Sequence, residues 1–232
     1  YIINSFVEIA LNNEYSTKSS TLRKWQQPIY YSIEHRTADK KLHQEITELH
    51  LAHLSDITGI TISPAKNKQS ANLRIIFSTE QQLAQELKQD FLLIDQQQVN
   101  QLTRHSVCLA NFSTAADNSI DRAIVIIPVD RARAHAKLLS CVVEELTQIM
   151  GLPNDSDQVY PSIFNDKSYD DYLSGLDYLL LTLLYNKRMK AGMNQAQVKY
   201  KLQQIMQESN FQTKIEQAEK IVNQQGIFRL LN

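Results

Sequence analysis

No apolar run in this chain approaches the roughly 20 residues needed to span a bilayer. The longest, around Tyr178 to Tyr185, has the length of a core helix. Glycine is scarce, five in 232 residues, and no group of glycines forms a loop able to cradle phosphate. Ser140 lacks the flanking glycines of a nucleophile elbow. Neither sign of charge is in excess: the formal net charge is -1, which gives no bulk attraction for nucleic acid or an anionic membrane. The KNK run at 66–68 is too short to make a basic patch. Cysteine occurs only at Cys108 and Cys141, which suits two thiols or one disulfide, and composition does not choose between them. The chain opens on Tyr1 rather than methionine, as it would after loss of a leader peptide or after trimming.

What is present describes an ordinary globular protein, 43% hydrophobic and 21% charged, with enough residues for one substantial core or two small ones. Ile3, Phe6, Val7 and Ala10 recur at helical spacing, and the polar stretch STKSSTLRK after them reads as a loop. PIYYSIEH alternates as a strand. From Asp39, the positions Leu42, Ile46, Leu49, Leu54 and Ile57 predict a long amphipathic helix ending near Gly59. ITIS and NLRIIFS read as strands around a polar turn, QQLAQELKQDF as a brief helix, and SVCLANFS and RAIVIIPVD as two more strands. The last of these is apolar enough for burial on both faces. DNSIDR has the look of a hairpin loop. A helix from Arg131 to Met150 carries two apolar stripes, a helix follows from Tyr172 to Tyr185, and two more are expected after Asn194. Strands mixed with helices, then helices alone, indicate an α+β fold, divided as residues 1–193 and a helical appendage over 194–232.

The chemistry-bearing segment is EELTQIMGLPND. Two histidines four apart on a helix, with a glutamate after the first, hold zinc and activate its bound water, because residues four apart share a face. Here Glu145 stands where that base would be, while Glu144 and Gln148 occupy the two ligand positions. Gly151 turns the chain, and Asn154, beside Asp155, takes the place of a third ligand. The segment resembles the metzincin zinc peptidases. PSIFND resembles their methionine turn, with Phe164 in the methionine's place, and LSGLDYLLLTLLY resembles the closing helix of matrix metalloproteinases through Leu173, Ser174, Asp177, Leu184 and Tyr185. EELTQIMGLPNDSD with PSIFND and the Gly192-Met193 pair is more similar still to a bacterial family, domain of unknown function 2927, whose members are predicted to be exported.

That resemblance implies a zincin-like α+β domain in which a twisted mixed sheet lies over the motif helix, with Phe164 beneath Glu144 and Gln148. It implies a Cys108–Cys141 disulfide joining sheet to helix, and an exported protein: periplasmic, anchored as an outer-membrane lipoprotein, or secreted. Zinc is not expected, since a neutral amide oxygen such as that of Gln148 is a poor zinc ligand, and no other cofactor is expected. Three readings of the set stay open: hydrogen bonding to neighbouring loops, an oxygen-ligand site for Ca²⁺, Mg²⁺ or Mn²⁺ using Glu144, Gln148 and Asp155, or a metal-free pocket. The function this implies is a pseudopeptidase of the cell envelope that binds a peptide or a protein partner and no nucleic acid. The alternative is a metal-dependent hydrolase with Glu145 as general base. Asp155 and Asp157 around Ser156 read as helix-capping or calcium-binding residues. His50 and His53 read as core or helix-boundary residues, and His35, His43, His105 and His135 as solvent-facing or capping ones.

Overall fold

The computed structural model describes residues 1–12, 21–92, 95–165, 167–168 and 171–230. Residues 16–20 of the expected STKSSTLRK loop, and Asp166 of PSIFND, lie outside that set. Its strands are β1 (Lys24–Trp25), β2 (Ile29–His35), β3 (Ile62–Pro64), β4 (Leu73–Ser78), β5 (Leu109–Thr114) and β6 (Ser119–Pro128). They form one mixed sheet in the order β3-β2-β4-β6, with β5 and the short β1 both joined to β6. All the pairings are parallel except that of β5, which runs antiparallel to β6. The helices are α1 (Ile2–Leu11), α2 (Lys40–Thr58), α3 (Glu80–Gln89), α4 (Gln96–His105), α5 (Val129–Ala134), α6 (Leu138–Gln148), α7 (Gly175–Leu184), α8 (Gln195–Met206) and α9 (Ser209–Asn223).

Side-chain alternation along the central strands supplies two cores. Ile75 and Phe77 of β4, with Val125 and Ile127 of β6, enter the principal core, which also takes residues of α1, α2, α6 and α7. Ile76 and Ile126 point the other way, into a small core with Leu83 and Leu87 of α3, Val99 of α4 and Leu109 of β5. Full burial of each such side chain stabilises the fold by roughly 1.5–3 kcal/mol. Val198, Leu202, Ile205, Phe211, Ala218 and Val222, from α8 and α9, belong to the principal core as well.

Several expectations require correction. The helix placed over Arg131–Met150 is two helices, parted at His135–Lys137, where Ala136 adopts a left-handed φ of 55°. Neither glycine nor proline marks that break, so apolar periodicity alone runs across it. SIDR of the supposed hairpin loop already belongs to β6, and the turn is confined to residues 115–118. α4 carries Val99 and Leu102 as its only large apolar residues and escaped the periodicity reading; its signal was Asp95, whose side chain accepts from the Gln97 amide at 2.8 Å. On α2, Leu42 is exposed and the inward face is instead His43, Ile46, Thr47, His50, Leu51 and Leu54. His43, expected at the surface, is fully buried with its ring stacked on Phe77, centroids 4.4 Å apart. His50 is buried as well, 3.0 Å from the Thr147 hydroxyl.

The C-terminal end of α6 is fastened by the segment around β1. Trp25 Nε1 donates to the Ile149 carbonyl at 2.8 Å, and Tyr185 Oη donates to that of Met150 at 2.9 Å, which satisfies groups a helix end leaves unpaired. Gly151 then turns with φ 111°, and a Cβ there would stand 2.1 Å from the Arg23 carbonyl oxygen. Gly151→Ala therefore meets both backbone strain and a collision, and is expected to cost more than about 2 kcal/mol in urea unfolding. A loss under about 0.5 kcal/mol would mean that β1 and α6 are not locked together here.

Burial, and secondarily His53, hold the His50 pKa down to about 3. Burial likewise depresses His35 and His43. Between the ordinary histidine pKa of about 6.5 and that depressed value, the unfolded chain binds a proton that folded His50 does not, so stability falls as pH falls. The stability difference between the native protein and His50→Gln should shrink from pH 7 to pH 4, by up to about 1.4 kcal/mol per pH unit. A pH-independent difference in paired urea titrations would contradict this.

Candidate functional site

Four of the candidate motif residues line one cleft of about 480 Å³: Glu144, Glu145, Gln148 and Asp155. On its helix side lie these residues with Lys137 and Pro153; on the other lie Gln101, Leu102 and His105 of α4, the segment Ser106–Cys108, and Leu109 and Ala110 of β5. Glu144 and Gln148 are half-buried, four apart on α6, and so project together. Glu145 is only 5% exposed. The Gln148 amide donates to Asp155 Oδ1 at 2.9 Å, so the turn after α6 folds back against the helix.

Two other candidates are placed elsewhere. Asn154 is buried against α1: its Nδ2 donates to the Glu8 carbonyl and its backbone N–H to that of Ile9. It closes the C-terminal end of α1, which is why a carboxamide at this position is useful without a metal. Phe164 is fully buried in the principal core. Its carbonyl accepts from the Ser156 amide at 2.8 Å, tying the PSIFND segment to the acidic turn. Ser156 and its neighbours thus bridge two loops, and Asp157 is exposed. Among the described residues, no three His, Cys, Asp or Glu side chains are grouped closely enough to hold a metal ion.

Cys108 and Cys141 form a disulfide with Cα atoms 5.8 Å apart. Cys108 lies one residue before β5 rather than within it, and Cys141 is one turn before Glu145 on α6. With a sequence separation of 33, the bridge is worth about 3–4 kcal/mol in the chain-entropy description. Sequence reading missed the α4 residues and Lys137. Nothing in their own pattern marks them; they are brought here by the packing of α4 beside β5 and by the break before α6.

The profile of a protein family of unknown function, DUF2927, matches residues 1–204. The chain belongs to the DUF2927 family. No curated protein and no solved structure matches it. The DUF2927 match spans the cleft, both cysteines and all but the last two residues of α8, and no helix among the described residues is long and apolar enough to cross a membrane.

The PSIFND turn depends on Asp177. It is fully buried and accepts from Ser162 Oγ at 2.6 Å, the Ile163 amide at 3.1 Å and the Ser174 amide at 2.8 Å, joining the α7 capping box to PSIFND. Burial pushes its carboxyl up to about 6 despite those donors. Asp177→Ala strands two buried donors and one partly buried donor and is expected to cost about 2–3 kcal/mol, at roughly 1 kcal/mol each. A loss below about 1 kcal/mol on chemical denaturation would show that the turn is held by other contacts.

Proposed function

We propose that this protein is a zincin-like scaffold without zinc, exported to the bacterial cell envelope, that binds an extended peptide along the open edge of β5. One observation carries the reading: the cleft lies between α6 and a strand which, among the described residues, pairs on one side only. The Phe112 amide donates to its neighbour Asn111 Oδ1 rather than to β6, and opposite it the Ala123 amide donates to Asn72 on the β4 side. Phe112 is therefore in a non-hydrogen-bonded pair, and Ala110, two residues earlier, shares its orientation. Their main-chain groups face outward, where an added strand can pair with them. Support for export is the disulfide, since such bonds persist in oxidising compartments.

The donor set does not fit zinc. Gln148 offers a neutral amide already engaged with Asp155, and Asn154 is turned onto α1. Without an ion nothing lowers the pKa of an attacking water, so Glu145 has no activated nucleophile to deprotonate. What remains useful is a polar cleft with a main-chain edge.

After dialysis against excess zinc, elemental analysis should find no stoichiometric metal, and a quenched-peptide library should stay uncleaved. A fluorescein-labelled random decapeptide library should bind. Ala110→Pro removes an outward N–H, a change edge strands tolerate, and should weaken that binding about tenfold with little loss of stability. One tightly held zinc per chain, lost on Glu144→Ala together with hydrolysis, would establish the hydrolase instead. Absence of any peptide binding would sink the proposal.

A further inference from the structure

The disulfide joins the strand-side wall of the cleft to the helix that carries the other wall. Cys108 belongs to the strand-side wall, immediately before β5. Cys141 is 1% exposed on α6, and its helix carries Glu144, Glu145 and Gln148 on the opposite wall. The strand-side wall has a second tether: Arg131 Nη1 of α5 donates to the carbonyls of Thr103 and, at 2.8 Å, of Ser106. That tether ends two residues short of Cys108. It holds the end of α4, while the bond at Cys108 fixes the start of β5 to α6. An added strand must lie about 4.8 Å from β5 to pair with it, and its side chains must meet α6 in the same pose. Both conditions hold only at one separation of the walls.

We infer that the Cys108–Cys141 bridge sets the width of the cleft and makes binding at the β5 edge redox-dependent; this rests on the peptide-binding reading above. Cys108 is the partly exposed cysteine and lines the cleft, while Cys141 is buried, so Cys108 is the one a reductant reaches. The thiolate of a dithiol reductant attacks Cys108 Sγ, the S–S bond breaks, and the electron pair passes to Cys141 Sγ, which takes up a proton. The second thiol of the reductant then displaces Cys108 and closes its own disulfide, so that two electrons leave the dithiol and reduce the bridge. The fold stays in place, because β5 keeps its ladder to β6 and Val142, Val143 and Leu146 keep α6 in the principal core. The released wall must then be ordered by the peptide itself, which weakens binding.

The test compares three forms of the full chain: oxidised, Cys108→Ala/Cys141→Ala, and reduced protein re-linked by a bis-maleimide longer than the disulfide. Binding of the fluorescein-labelled decapeptide library and amide hydrogen exchange are read for each. The alanine variant should bind at least about tenfold more weakly, and exchange at residues 107–110 should rise by more than the uniform fall in protection that opening the loop brings to β4 and β6. The re-linked protein should recover thermal stability, since loop closure is restored, but not affinity, since the spacing is not. Full affinity in the alanine variant or in the re-linked form overturns the inference, as does unchanged exchange at 107–110. If exchange at 107–110 rises no more than in β4 and β6, the bridge serves the whole fold alike and the inference is again overturned. Failure of the oxidised protein to bind any peptide removes the underlying reading instead, a result distinguishable because exchange still reports the wall.

Discussion

Burial of β6 on both faces is the constraint from which the remainder of the architecture follows. Val125 and Ile127 point into one core and Ile126 into the other, so the strand cannot slip by one residue without exchanging its two environments. That locked register places β4 on one ladder and leads the chain at Pro128 directly into α5 and α6. β5 takes its position from the same strand, and with it the position of the cleft. A helix and a strand edge can face each other reproducibly only because both are referred to this one buried element.

The end of α6 is the second fixed point. Trp25 and Tyr185 take up the carbonyls of Ile149 and Met150, and Lys24 Nζ, itself buried, donates to the carbonyls of Leu184 and Met189. Burial lowers that lysine's pKa to about 8. The short β1 thus serves less as a strand than as a clasp between the ends of α6 and α7. On the other face, Glu86 is buried, accepting from Ser78 and Arg36. Arg74 forks between Glu34 and Asp90. Exposed pairs of this kind add little individually, but Arg36 pairs with Glu34 and Asp90 as well as with the buried Glu86, and so links them in one network that ties α3 to the sheet.

Much of the site was legible because helical spacing is local. Glu144 and Gln148 share a face whatever the rest of the chain does, and Gly151 marks the helix end because only glycine fits its φ against Arg23. The set divided where locality ended. Asn154 is next to Asp155 in sequence, yet one caps α1 and the other meets the cleft. α4 is too poor in apolar residues to declare its period, and the break at Ala136 has no glycine or proline to announce it. His43 was misplaced because a histidine whose ring stacks on Phe77 looks, in one dimension, like a polar surface residue.

Local periodicity by itself determined most of the element types, the inward faces of the central strands and the shared face of Glu144 and Gln148, since each depends on residues within a few positions of one another. Only the tertiary structure decided which strand stands at the edge, that α4 and β5 form the second wall, and that the bond from Cys108 to Cys141 crosses between the walls. Those relations join residues far apart in the chain. They are set by which buried surfaces fit together, and that information is distributed over the whole core rather than written in any one segment.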